Sequence, residues 1–290
     1  MIEKHAYLIM AHGNYRVLMS LLKMLDDKRN DIYLHLAKKS ADAPINEIWG
    51  CIKCAKLNFT KRINVSWGGY SQIRAELLLL KDAVKTEHTY YHLLSGVDLP
   101  LKSQDEIHAF FQDNKGKEFI SIDNVVQQDD ELVNRVKYYY FFHDQIGRNP
   151  GRIPAFLYRV QQILLKIQRC LCVNRVNNQV PQLYKGGNWF SITHEMAKHV
   201  LLRERQIRRL FKHGICVDEM FLQTIAMDSP FRDNVTGYCM RHIDWSRGNP
   251  YTFTSDDYAE LISGDMLFAR KFSQNQYEIV MSLQEYSKQH

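Results

Sequence analysis

No run of apolar residues in this 290-residue sequence reaches the roughly 18 to 20 that a membrane-spanning helix needs. The opening "MIEKHAYLIMAHGN" is too short and too broken in its apolar part to read as the core of a signal peptide. Internal repeats and low-complexity tracts are missing as well, which excludes solenoid and linker-rich designs. Of the six cysteines, Cys51 and Cys54 form one C-x-x-C pair, but a second pair at zinc-site spacing is lacking, since Cys170 and Cys172 are C-x-C within a helical pattern. A structural zinc site is therefore not expected. The thiols are expected to be reduced and the protein to work in the cytoplasm.

What is present is ordinary for a folded globular chain: 45% apolar and 24% charged residues, enough for a sizeable core. The net charge of +6 is concentrated in Tyr158 to Arg175 and Leu201 to His213. Neither stretch interleaves aromatic with basic residues as single-strand binders do, so a nucleic-acid partner is not expected.

The first third alternates strand and helix patterns. Ala6 to His12 reads as a buried strand, Tyr15 to Asp27 as an amphipathic helix and Asp31 to Lys39 as a strand, a βαβ unit. "INVSW" (Ile63 to Trp67) reads as a further strand, Ser71 to Lys85 as a helix, and Tyr90 to Gly96 as a strand ended by glycine. Such alternation implies an α/β fold with a mostly parallel central sheet and helices on both faces. Ligands of such sheets sit beyond the carboxyl ends of the strands, here His12, Gly13, the loop after Leu36 and the loop from Gly96 to Ser103. The first of these loops, "AHGNYR", holds one glycine, so the G-x-G-x-x-G of a dinucleotide-binding oxidoreductase is lacking.

In "SGVDLPLKSQDEIHAFF", Ser103 and Glu106 have capping-box spacing. Asp98 is left over as a carboxylate at a strand's carboxyl end, which suits a ligand contact. From Asn124 to Asn188 the pattern loosens; Pro150, Gly151 and Pro154 punctuate it and Tyr138 to Phe142 is an unbroken aromatic run. In the helix expected over Ala155 to Cys172, Phe156, Val160, Ile163, Leu164, Ile167 and Leu171 share a face that is expected to pack on the core. The basic residues beside that face would also suit an anionic membrane leaflet. Further on, Thr193 caps a helix, Ser255 is expected to cap one from Asp256, and Gly264 ends it. The adjacent acids in "VDEMFLQTI", Asp218 and Glu219, read first as a helix start, because carboxylates accept from first-turn amides.

Six segments in order, "AYLIMAHGNYRVLMSLLKML", "VSWGGYSQIRAELLLLKDAV", "YYHLLSGVDLPLKS", "KGGNWFSITHEMAKHVL", "VDEMFLQTI" and "LFARKF", resemble the core-2/I-branching β-1,6-N-acetylglucosaminyltransferase family, which also holds peptide xylosyltransferases. The resemblance runs from about Ala6 to Phe272. It implies one GT-A type domain over 1–290, with a donor-binding half to about 123 and an acceptor and catalytic half from about 124, carrying a helical insertion near 130–180. It also implies a UDP-sugar donor, inversion at the anomeric carbon, and no cofactor or metal, because basic side chains near the C-terminus neutralise the diphosphate.

Carried over by position, Lys271 in "LFARKF" matches the family's diphosphate lysine, with Arg270 beside it, and Arg247 in "DWSRGNP" is the best match for its arginine partner. Fixed cations there would stabilise the charge that develops on leaving UDP. The metal-binding D-x-D of other such folds is missing after the second strand, where the chain reads "LHLAKKS"; relatives commonly carry an acid where Ala37 stands, so this chain departs from the family's pattern at its nucleotide-base contact. Glu219 takes the family's catalytic-base position, leaving Asp218 as the capping acid. His12 and Gly13 would border the nucleotide and Asp98 the donor sugar or ribose. Gly186, Gly187 and Asn188 would form a close-approach wall. Trp189, Trp245 and the Tyr138–Phe142 cluster, Tyr139 included, could stack on acceptor sugars. The expected donor is UDP-N-acetylglucosamine, with UDP-galactose, -glucose, -glucuronic acid or -xylose as alternatives. The expected acceptor is a glycan or lipid-linked glycan, with peripheral contact to the inner membrane face. The non-enzymatic alternative is a nucleotide-sugar-binding protein.

Overall fold

The apolar runs of the first third form strands buried on both faces, as parallel strands covered by helices must be. The computed structural model describes residues 3–148, 151–176 and 182–289. Pro150 lies outside the described residues, as does 177–181 within the expected insertion. In chain order the strands are β1 (His5–Ala11), β2 (Asn30–Leu36), β3 (Lys56–Phe59), β4 (Tyr90–Ser95), β5 (Asp98–Pro100), β6 (Glu118–Ser121), β7 (Asn124–Val125), β8 (Tyr184–Lys185), β9 (Phe190–Thr193), β10 (Val235–Gly237), β11 (Arg241–Ile243) and β12 (Phe268–Arg270).

Seven of them make one sheet in the order β10-β6-β9-β4-β1-β2-β3. Strands β1 to β4 are parallel where they pair, β9 runs antiparallel to both β4 and β6, and β10 is parallel to β6. The chain leaves β1 toward β2 on one side, while β4 lies on the other, so the loops after β1 and β4 diverge over a crevice. In open α/β sheets that is where ligands bind. Strands β11, β12 and β5 form a small second sheet, and β7 pairs with β8.

The two-residue period of β1 divides the core. Ala6 and Leu8 join the apolar cluster under the helices Tyr70–Ala83, His194–Leu202, Glu204–Phe211 and Phe221–Met227. Tyr7, Ile9 and Ala11 join the opposite cluster, closed by the helices Tyr15–Met24, Gln104–Asp113 and Tyr277–Gln289 and by the small sheet. Ser103 and Glu106 form the expected capping box, and Thr193 caps the helix that follows it. No helix among the described residues is long and apolar enough to cross a membrane.

Three expectations are corrected. The third strand of the parallel set is Lys56–Phe59, not "INVSW", which runs as irregular chain. Ile63 still ties to the chain just beyond β2 through its carbonyl, which accepts from Lys38 N at 2.9 Å, but adds no ladder. At the other end of the chain Thr254, not Ser255, closes a capping box with Asp257. The third concerns the Arg152–Cys170 helix, which does not bury its apolar face. Its buried residues are Gln161, Leu165 and Gln168. The two glutamines satisfy backbone groups of the irregular aromatic run: Gln168 Oε1 accepts from Tyr139 N at 2.7 Å, Gln161 Oε1 from Phe142 N at 3.2 Å, and both amides donate to the Tyr139 carbonyl. Buried backbone without a sheet partner requires polar side chains, and this selects the face that packs.

Candidate active site

The chain from Val217 to Phe221 makes a tight turn before the Phe221–Met227 helix, with Met220 N and Phe221 N both donating to the Val217 carbonyl. That helix has no side-chain cap, so the reading of Asp218 as a capping acid is corrected. Asp218 is buried instead and accepts from Gln72 Nε2 at 2.9 Å. Asn188, with its amide nitrogen facing them, donates to the Asp218 carbonyl at 3.1 Å and to Glu76 Oε1 at 3.3 Å. Glu76 is wholly buried on the Tyr70–Ala83 helix. Helix and turn are thus clamped through two amides and two carboxyl groups.

Burial, and then the charge of Asp218, hold the Glu76 carboxyl well above the usual range, with Asn188 opposing them. Burial and the neighbouring Glu219 push Asp218 up to about 7. One oxygen of each acid, Glu76 Oε2 and Asp218 Oδ1, has no hydrogen-bond partner, as suits a protonated carboxyl kept from water. The linkage has a definite sign. Folded Asp218 keeps its proton to about pH 7, whereas unfolded it loses it near pH 4. The stability it contributes is fully present below about pH 4 and is lost as the pH rises to about 7. Asp218→Asn should therefore gain stability relative to the parent as the pH is raised from 5 to 8, read by urea denaturation at each pH; a constant difference would contradict the assignment.

Glu219 points the other way. Its side chain is about one-third exposed, and its Oε2 meets Arg135 Nη1 at 3.2 Å and Lys185 Nζ at 3.9 Å. Lys185 also faces Asp123 Oδ2 at 3.5 Å. One carboxylate oxygen is thereby fixed, while Oε1 makes no hydrogen bond or ion pair within the described residues. A carboxylate anchored at one oxygen and open at the other can accept a proton in a set direction. Arg135 and Lys185 were not legible in the sequence. The first lies 84 residues from Glu219, and only the position of Lys185 before "GGNWF" hinted at it.

The Gly-rich segment forms the wall of the cleft. Gly186 N donates to the Glu219 carbonyl at 3.0 Å, and Gln223 Nε2 to the Gly187 carbonyl at 2.7 Å. A β-carbon on Gly186 would lie 1.8 Å from the Ser121 carbonyl oxygen. Gly186→Ala should thus displace the wall and cost about 1–3 kcal/mol, visible as a lowered Tm; an unchanged Tm would contradict so close an approach. At the far end of the wall the Trp189 ring lies buried under Arg270, whose Cζ is 4.3 Å from its centroid. Gly186 to Trp189 is four residues, a span of at most about 14 Å. Glu219 and β12 therefore stand at the two ends of one short wall.

Lys271 follows β12. Phe253 N donates to its carbonyl, its own N–H to Tyr251 O, and Phe272 N to Val97 O at 2.9 Å, which holds the segment against the loop after β4. The Lys271 ammonium has no carboxylate partner among the described residues. His12 and Gly13 occupy the neighbouring loop after β1, anchored by Gly96 N donating to Met10 O and Ala37 N to Ala11 O. His12 is exposed, and Gly13 has φ +111, a backbone that disfavours side chains. Ala37 is buried, and the carbonyls around it accept from Arg62.

The other expected site residues lie elsewhere or are already engaged. Asp98 is buried at the β4–β5 turn, where Ser95 N and Oγ donate to it and Arg270 Nε lies 3.6 Å away. Burial raises its pKa, with Arg270 opposing. Arg247 is paired with Asp244, with Asp257 at 2.6 Å and with Glu260 at 3.4 Å, and stacks on Tyr251. Trp245 is exposed on the loop after β11. Tyr139 stacks on Phe141 at 5.4 Å and under Arg175, so its ring face is occupied. No group of three or more His, Cys, Asp or Glu side chains that could hold a metal occurs among the described residues.

The mostly parallel α/β sheet is the fold class the sequence predicts. The model of the Core-2/I-Branching enzyme family matches residues 5–267, and the chain belongs to that family. It is 21% identical to xylosyltransferase 2 of Rattus norvegicus over 97% of this chain and 33% of that protein. It is 24% identical to the N-acetyllactosaminide β-1,6-N-acetylglucosaminyl-transferase of Homo sapiens over 97% of this chain and 71% of that protein. The chain thus spans about a third of the length of the xylosyltransferases it matches. Mouse xyloside xylosyltransferase 1 aligns structurally over 95% of this chain and 99% of its own at 12% identity, with a TM-score of 0.41.

Proposed function

We propose that the chain is an inverting glycosyltransferase that moves a sugar from a UDP-sugar to a hydroxyl of a glycan acceptor without a metal. The observation that carries the reading is the placement of Glu219, fixed at one oxygen and open at the other, at one end of the Gly186–Trp189 wall, whose other end meets Arg270 of β12, the residue before Lys271 in the chain. A donor bound between them would present its anomeric carbon toward Glu219 and its diphosphate toward the lysine. Glu219 takes the proton of the acceptor hydroxyl as that oxygen forms a bond to the anomeric carbon. The bond from that carbon to the diphosphate breaks on the opposite face, and UDP leaves with the electron pair.

Lys271 offsets the charge that grows on the leaving group. Arg247 would join it only by exchanging carboxylate partners for phosphate. His12 and Gly13 border the nucleotide in this reading, Asn188 and the glycines leave room for the sugar, and the exposed Trp245 offers a ring face to an acceptor, whereas Trp189, buried under Arg270, would do so only if that arginine moved aside. N-acetylglucosamine is the proposed sugar, after the name of the human relative, with xylose as the second choice after the rat one. A glycan or lipid-linked glycan made in the cytoplasm is the proposed acceptor class. The six free thiols suit that reducing compartment.

A donor panel tests this: UDP-N-acetylglucosamine, -xylose, -galactose, -glucose and -glucuronic acid with β-galactoside and lactosamine acceptors in EDTA, each product's anomeric linkage read by NMR. A β-linked product from an α-linked donor is expected. Turnover only on adding a divalent metal, or a retained configuration, would overturn the mechanism.

A further inference from the structure

Of the large apolar side chains exposed among the described residues, the greatest number on any one element lies on the Arg152–Cys170 helix. Ile153 is 74% exposed, Phe156 64%, Ile163 58%, Ile167 48%, and Leu171 just beyond the helix 70%. At 100° per residue these five span about 80° of the helix surface. The packing side, Gln161, Leu165 and Gln168, is centred about 120° further round the helix. Arg152, Arg159 and Lys166 line the edge next to the apolar strip, so the helix has a bonded polar underside, an apolar top and a basic rim. An exposed apolar face of this size on an otherwise well-packed chain marks a contact surface.

Charge decides what covers it. Between Asp144 and Glu195 the sequence holds no acidic residue and seven Lys and Arg, more than the net charge of +6 of the whole chain. Docking two copies through this face would bring the basic rims together with no acid of the helix to offset them. A nucleic acid would satisfy the cations and leave the apolar strip in water. An anionic bilayer satisfies both, since the strip enters the acyl boundary while the rim stays at the headgroups. Just before the helix, Arg148 lies 3.7 Å above the half-exposed Trp67 ring, an aromatic and a cation suited to the headgroup level.

We propose that the Arg152–Cys170 helix is an interfacial anchor that docks the chain on an anionic membrane surface. The full chain should pellet with phosphatidylglycerol-rich vesicles at low salt, remain in the supernatant with phosphatidylcholine vesicles, and be released by high salt. Each basic residue near such a surface contributes roughly fivefold to binding, so the double variant Arg159→Glu and Lys166→Glu should bind at least about tenfold more weakly. The triple variant Phe156→Ser, Ile163→Ser and Ile167→Ser should lose binding, with its circular dichroism and its thermal shift with UDP unchanged. If the triple variant misfolds, the charge-reversal variant carries the test alone. A parent chain that stays in the supernatant at low salt overturns the proposal, as does equal binding to both vesicle types or a charge-reversal variant that pellets like the parent. A concentration-dependent dimer broken by the serine substitutions, without vesicle binding, would assign the face to a second copy and overturn it too.

Discussion

Glu219→Gln is expected to lower kcat by about 10²- to 10⁴-fold, the contribution of a positioned general base, while UDP-sugar affinity stays within about twofold. The amide keeps the size and bonding reach of the carboxylate, and the Gly186 N–H still meets the backbone carbonyl of residue 219, so the wall stays in place. What is lost is the oxygen able to take the acceptor's proton. Turnover can be followed as UDP release and donor binding as a thermal shift on the same samples. If the variant turned over at the parent rate, another group would be the base. If the parent bound donor but turned over no acceptor in the panel, the non-catalytic reading would stand instead.

Lys271→Met should lower kcat/KM by about 10²- to 10³-fold, the cost of removing one fixed group at the point where charge develops, and should also weaken UDP itself. This separates the two positions: Glu219 acts on the acceptor and should leave UDP binding intact, whereas Lys271 acts on the diphosphate and should not. Arg247→Met offers a contrast. Its guanidinium is shared among Asp244, Asp257 and Glu260, so its removal should act first on stability, by freeing three carboxylates. A loss of UDP affinity at unchanged Tm would show instead that the arginine exchanges partners when the donor binds.

The parts of this molecule that could be read from sequence are those in which local pattern and tertiary demand agree. The unbroken apolar runs of β1, β2 and β4 and the capping box at Ser103 each carry their cause within a few residues. Asp218 shows the limit. An acid before an apolar helix has the local signature of a cap, yet a buried Glu76 and the Asn188 amide draw the turn inward, and those partners are 142 and 30 residues away in sequence. Arg135 and Lys185 beside Glu219 were invisible for the same reason, since ion pairs across a fold leave no spacing to find. The Arg152–Cys170 helix had the expected apolar periodicity, but periodicity says which residues share a face, not which face is covered.

The measurement that bears most directly on the central claim is a calorimetric titration of UDP into the chain in EDTA, repeated with Lys271→Met. Saturable one-to-one binding in EDTA, weakened by the lysine substitution and untouched by Glu219→Gln, is what this account predicts. UDP binding that appears only with a divalent metal, or that ignores Lys271, would contradict it.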